Sequence, residues 1–113
     1  MLTIDALKEL GANTDEGVAR CVNNEGFYLK MVGMALADDG YEKLDAAVRA
    51  GDLDEAFERA HALKGILSNV SLTTLAEPVI EITEDLRART EKDYSALLDT
   101  IAEEVAKYRA LID

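Results

Sequence analysis

The chain has 113 residues, 49% hydrophobic and 31% charged, a balance that fits one globular domain with a single aliphatic core and excludes a disordered tract. Its formal net charge of −11 repels phosphate backbones and anionic lipid headgroups, and the 12 Lys and Arg form no block that overcomes this field, so no nucleic acid and no membrane are expected as partners. The one cysteine, Cys21, cannot close an internal disulfide, and no leader-like or membrane-length apolar run is present, so a cytoplasmic, reducing location is expected.

Apolar residues recur at helical spacing, and the only proline is Pro78, so an all-α chain is predicted. A short helix covers Ile4 to Leu10, with Gly11 suited to the left-handed position after a helix end. A second spans Asp15 to Val22 and carries Cys21, read as a packed thiol without a role. Asn23-Asn24 turns the chain and caps a third helix from Glu25, whose apolar face is Phe27, Tyr28, Met31, Val32, Ala35 and Leu36. Asp39-Gly40 stops or bends it, and a fourth segment from Tyr41 carries Leu44, Ala47 and Val48 up to Gly51.

Asp52, with Glu55 three residues later, has the form of a capping box and opens a fifth helix that continues through Val70. Ser71 and Thr73-Thr74 mark a break before a sixth helix reaching Arg87, in which Pro78 predicts either a bend or a later start. Asp93 caps the last helix, with Tyr94, Leu97, Leu98, Ile101, Val105, Tyr108 and Ile112 as its apolar stripe. Short loops between the long helices predict an antiparallel up-and-down four-helix bundle, with the two short N-terminal helices across one end and residues 1–113 forming one domain.

The fifth helix carries the chemistry. Its apolar set is Leu53, Phe57, Ala60, Leu63, Leu67 and Val70. At about 100° per residue, His61 falls roughly 120° from the centre of that face and points to solvent. Phe57 and Glu58 lie one turn before it, and Lys64 and Gly65 one turn after. Neutral imidazole, with an ordinary pKa of about 6.5, is a competent nucleophile toward an activated acyl phosphate without a separate base. The Lys64 ammonium can neutralise charge as phosphorus approaches and departs. Gly65 costs its helix about 1 kcal/mol relative to alanine, a cost that close approach of another molecule would explain. Ala62 keeps the surface beside the ring low as well.

The run His61-Ala62-Leu63-Lys64-Gly65 resembles the His-x-Leu-Lys-Gly signature of histidine-containing phosphotransfer (HPt) domains, the intermediates of multistep two-component phosphorelays. Gly51-Asp52, Ala60, Asn69, Leu75, Gly17-Val18-Ala19-Arg20 and Phe27-Tyr28-Leu29 are also similar to the family pattern, so the resemblance extends over most of the chain. It implies that His61 is the phosphorylated residue, Lys64 the phosphate-stabilising one and Gly65 the clearance position. Phe57, Glu58, Ala62, Ser68 and Asn69 are then the expected docking surface for response-regulator receiver domains and the receiver of a hybrid sensor histidine kinase. No cofactor is expected in this chain, because the family's receiver partners bring their own magnesium, and a monomer suffices. The chain departs from the family at Ile66, Leu67 and Ser71, where small residues and a second glycine are usual. It departs again at Thr83, often glutamate, and at Pro78.

A lone histidine on a bundle is ordinarily a solvated surface residue, and a lone lysine ordinarily snorkels; the two together beside Gly65 reverse that reading. One His and one Cys cannot build a zinc site without several carboxylates, and no phosphate-cradling glycine loop, dinucleotide fingerprint or catalytic triad motif is present. The expectation is a phosphocarrier rather than an enzyme, with no ATP-dependent autokinase activity. The rival is a helical bundle that docks a receiver or kinase and is not itself phosphorylated.

Overall fold

The structure, a computed structural model, describes residues 1–112, and among them the chain forms seven helices and no strand. They are α1 (Ile4–Glu9), α2 (Thr14–Arg20), α3 (Glu25–Ala37), α4 (Gly40–Arg49), α5 (Leu53–Asn69), α6 (Thr73–Arg87) and α7 (Ser95–Arg109). Side chains satisfy the free N–H groups at several starts: Thr3 accepts from Ala6 N at 3.1 Å, Asn24 from Phe27 N at 2.9 Å and Asp52 from Glu55 N at 3.1 Å.

The α5 helix packs against α4 and α6, α6 against α7, and α7 returns to α3 and α4, which closes the bundle. Turns at 50–52 and 70–72 are too short for anything but antiparallel neighbours. Tyr28, Val32, Leu36, Leu44, Leu63, Leu67, Leu75, Ile82, Leu86 and Tyr108 fill the core, each large aliphatic side chain stabilising the fold by about 1.5–3 kcal/mol. The N-terminal helices close the end where α5 turns into α6: Asn13 N donates to Ser71 O at 2.9 Å and Thr74 Oγ1 to Leu10 O at 3.1 Å. Arg109 ties α7 to the α3–α4 bend, donating to Leu36 O at 2.8 Å and Asp38 O at 3.1 Å. These carbonyls lie at the C-terminal end of α3, where a cation is favoured.

Several boundaries differ from the sequence reading. The second helix stops at Arg20 rather than Val22, because Val22 and Asn23 both adopt left-handed backbone, with φ of +50° and +58°. Cys21 therefore lies beyond the helix and is buried. The expected capping box is half realised, since Glu55 turns its carboxylate to Arg59 at 2.6 Å instead of back to the Asp52 N–H. The α6 helix starts at Thr73 and continues through Pro78. The last helix begins at Ser95 with Tyr94 in the N-cap position, while the Asp93 carboxylate, expected to cap it, accepts from Ser95 N at 2.9 Å. Ile112 falls past the end of α7 and is exposed. Phe27 is 45% exposed, as it lies on the shoulder of the Tyr28, Val32, Ala35 and Leu36 stripe.

Candidate functional site

The local frame of α5 explains why His61 faces outward. Ala56, Ala60, Leu63 and Leu67 are buried, and this spacing of three and four residues forms the stripe that meets α4 and α6. Leu53 and Phe57, expected in the buried set, are only half-buried, and Ala56 takes the inward position. The reason is angular: Phe57 is about 100° around the helix from Ala56 and so sits on the shoulder of the stripe. His61 lies beyond that shoulder and is exposed.

The Phe57 ring stacks on the His61 imidazole, with centroids 5.7 Å apart and planes 20° apart. The Arg87 guanidinium lies over the same Phe57 ring, 5.1 Å from its centroid. Two cations are thus tied to this group: Lys64, one turn on from His61 in α5, and Arg87 of α6, over the Phe57 ring that stacks on the imidazole. Both are held by one carboxylate, with Lys64 Nζ 3.3 Å from Glu84 Oε1 and Arg87 Nε 3.2 Å from Glu84 Oε2. The Lys64 hydrogen bond, helped by the charge of Arg87, holds the Glu84 carboxyl below the usual carboxylate range, so it is ionised at neutral pH.

Around Gly65 nothing lies within 4 Å of where a Cβ would stand, so no contact within the chain requires glycine there. Gly33 on α3 is open in the same sense; what distinguishes Gly65 is its place one turn from the imidazole. Ala62, Glu58, Ser68 and Asn69 are exposed on the same helix, while Lys64 is half-buried along its stem. Ser68 continues the His61 line two turns on, so the expected docking residues form a band along α5.

Sequence reasoning missed Glu84 and Arg87. Their opposite charges three residues apart are visible in the sequence, but which face of α6 meets α5 is set by tertiary packing. Thr83, where the family often has glutamate, is fully buried and donates to Val79 O at 2.6 Å, so its hydroxyl is satisfied within α6. Among the described residues, no group of three or more His, Cys, Asp or Glu is placed to hold a metal ion, and no helix is long and apolar enough to cross a membrane.

Comparison with curated proteins and with solved structures gives no match. A family model, that of the Hpt domain, matches residues 34–111, which spans the end of α3 and all of α4 to α7, with His61, Lys64 and Gly65 inside the matched segment. Its members are phosphocarrier modules of two-component phosphorelays, and the helical bundle seen here agrees with their fold. With more than half its length inside that match, the chain belongs to the Hpt domain family.

Proposed function

We propose that His61 accepts a phosphoryl group from a receiver-domain aspartyl phosphate and passes it to another receiver aspartate. The observation that carries this reading is the combination at one point on α5 of an exposed imidazole, the Lys64 ammonium one turn on and open space at Gly65. In the forward step, an imidazole nitrogen attacks phosphorus in line with the aspartyl oxygen. The N–P bond forms, the P–O bond breaks and the electron pair leaves on the aspartate carboxylate. The ring's other N–H proton passes to solvent. Lys64 offsets the charge spread over the equatorial oxygens, and the reverse sequence delivers the group to the next receiver.

Magnesium in this scheme comes with the receiver. The Phe57, Glu58, Ala62, Ser68 and Asn69 band is the surface on which the receiver settles, residues 1–113 act as one monomeric cytoplasmic unit, and no nucleotide takes part. The test is to incubate the protein with a phosphorylated cognate receiver and follow acid-labile, base-stable label. Transfer supports the reading; a protein that binds the receiver and stays unlabelled would be a docking module instead.

Two substitutions separate charge from clearance. Lys64→Ala is expected to slow transfer by about tenfold to a hundredfold while leaving the melting temperature nearly unchanged, because its partner Glu84 is exposed and such surface pairs contribute little stability. Stopped-flow transfer beside thermal unfolding checks it, and an unchanged rate removes Lys64 from the mechanism. Gly65→Leu is expected to weaken receiver docking by at least about tenfold although leucine is the better helix former, since the new side chain stands where the partner must come close. A titration by calorimetry reads this directly, and undiminished affinity refutes the clearance role.

A further inference from the structure

The pair of ionic contacts at Glu84 has a consequence for how the site is tuned. Lys64 stands one turn from His61 on α5, and Arg87 lies over the Phe57 ring that stacks on the imidazole. Neither is free: both oxygens of a single carboxylate are engaged, Oε1 by Lys64 and Oε2 by Arg87. A phosphoryl group on His61 brings about two negative charges and three acceptor oxygens to the same neighbourhood. It therefore competes with Glu84 for the same ammonium and guanidinium.

We propose that Glu84 is a positioning residue that holds Lys64 and Arg87 beside His61 and competes with the phosphoryl group for them, so that it sets how readily the site takes up and keeps phosphate. The inference rests on His61 being the phosphorylated residue. Glu84 does not touch the reacting atoms; it acts through the cations. Each contact is partly exposed, with side-chain exposures of 32% for Lys64, 50% for Arg87 and 52% for Glu84, so the competition is a matter of modest factors rather than an on–off switch. Its position on α6 also means that a receiver seated over α5 meets a site whose cations answer to a residue from the neighbouring helix.

The test uses the full chain and ammonium phosphoramidate, which phosphorylates histidine without any receiver. The imidazole nitrogen forms the N–P bond, the P–N bond of the donor breaks, ammonia leaves and the ring proton passes to solvent. Glu84→Gln keeps the size of the side chain and removes the competing charge. The expected result is label on His61 that forms about threefold to tenfold faster and hydrolyses correspondingly more slowly than in the parent. The same substitution in a Lys64→Ala, Arg87→Ala background is expected to change neither rate, because the competitor has nothing left to compete for. Unchanged or slower uptake in Glu84→Gln overturns the proposal, as does an equal gain in the background lacking both cations, which would make Glu84 a general repulsive charge. Absence of label from the parent itself would overturn the assignment of His61 together with this inference, whereas label in the parent with no response to Glu84→Gln overturns this inference alone.

Discussion

A His61→Gln protein is expected to fold like the parent and to take up no phosphoryl label above background. The amide nitrogen of glutamine has its lone pair delocalised into the carbonyl and does not attack phosphorus, and no second histidine exists in the chain to substitute for the first. The fold should survive because His61 is exposed and its aromatic contact is the stack with Phe57. Surface substitutions of this kind change stability by about 0.5 kcal/mol or less. Circular dichroism and thermal unfolding check the first half of the expectation, and acid-labile label after incubation with a phosphorylated receiver checks the second. Undiminished label would move the phosphoryl site to another residue and end the His61 reading, whereas loss of the fold would leave the chemistry to be tested with phosphoramidate on a milder variant such as His61→Asn.

The largest stability effect is expected at a residue far from the imidazole in sequence. Gly17→Ala on α2 drives a methyl group into the Tyr28 ring, closest to Cε1, 2.8 Å from Cζ and 3.0 Å from the hydroxyl oxygen, all tighter than ordinary van der Waals contact. The ring has nowhere to go: Tyr28 is fully buried, and its hydroxyl donates to Val70 O at 2.8 Å at the end of α5. Burial pushes the Tyr28 hydroxyl up to about 12, so it remains a neutral donor to that carbonyl throughout the neutral range. Overpacking at such a site costs about 1–3 kcal/mol, against which alanine's better helix propensity returns less than about 1 kcal/mol. For a domain of this size that corresponds to a fall in melting temperature of about 4–8 °C per kcal/mol.

Gly65→Ala provides the opposite sign, because its surroundings are open and the only change is helix propensity. It should raise stability by up to about 1 kcal/mol. Chemical denaturation of the two variants side by side is the measurement. A Gly17→Ala protein as stable as the parent would show that Tyr28 can be displaced without losing its bond to Val70, and with it that α2 does not brace the end of α5.

The helix count, the turns and the outward placement of His61 were legible in the sequence because they depend on periodicity and on capping chemistry, both local. The spacing of Ala60, Leu63 and Leu67 obliges the imidazole to face solvent in any fold that buries those three. The ends were less legible. Val22 and Asn23 adopt left-handed backbone with no glycine to announce it, and Phe57 reads as core by composition while packing places it on the shoulder of α5.

The sequence by itself determined an acidic all-helical chain presenting one imidazole with a lysine and a bare position one turn away. Only the tertiary structure decided what surrounds them. Gly40, read as a helix stop, proves to be buried where an added Cβ would stand 3.0 Å from Leu63 Cδ2, so it lets α4 lie close against the motif helix. Glu84 and Arg87 reach the site because of the face α6 turns toward α5, and Gly17 braces Tyr28 because α2 folds over the end of the bundle. The physical reason is common to all three. Helical periodicity fixes which residues share a face, but the partner that covers that face is chosen by packing between segments distant in the chain.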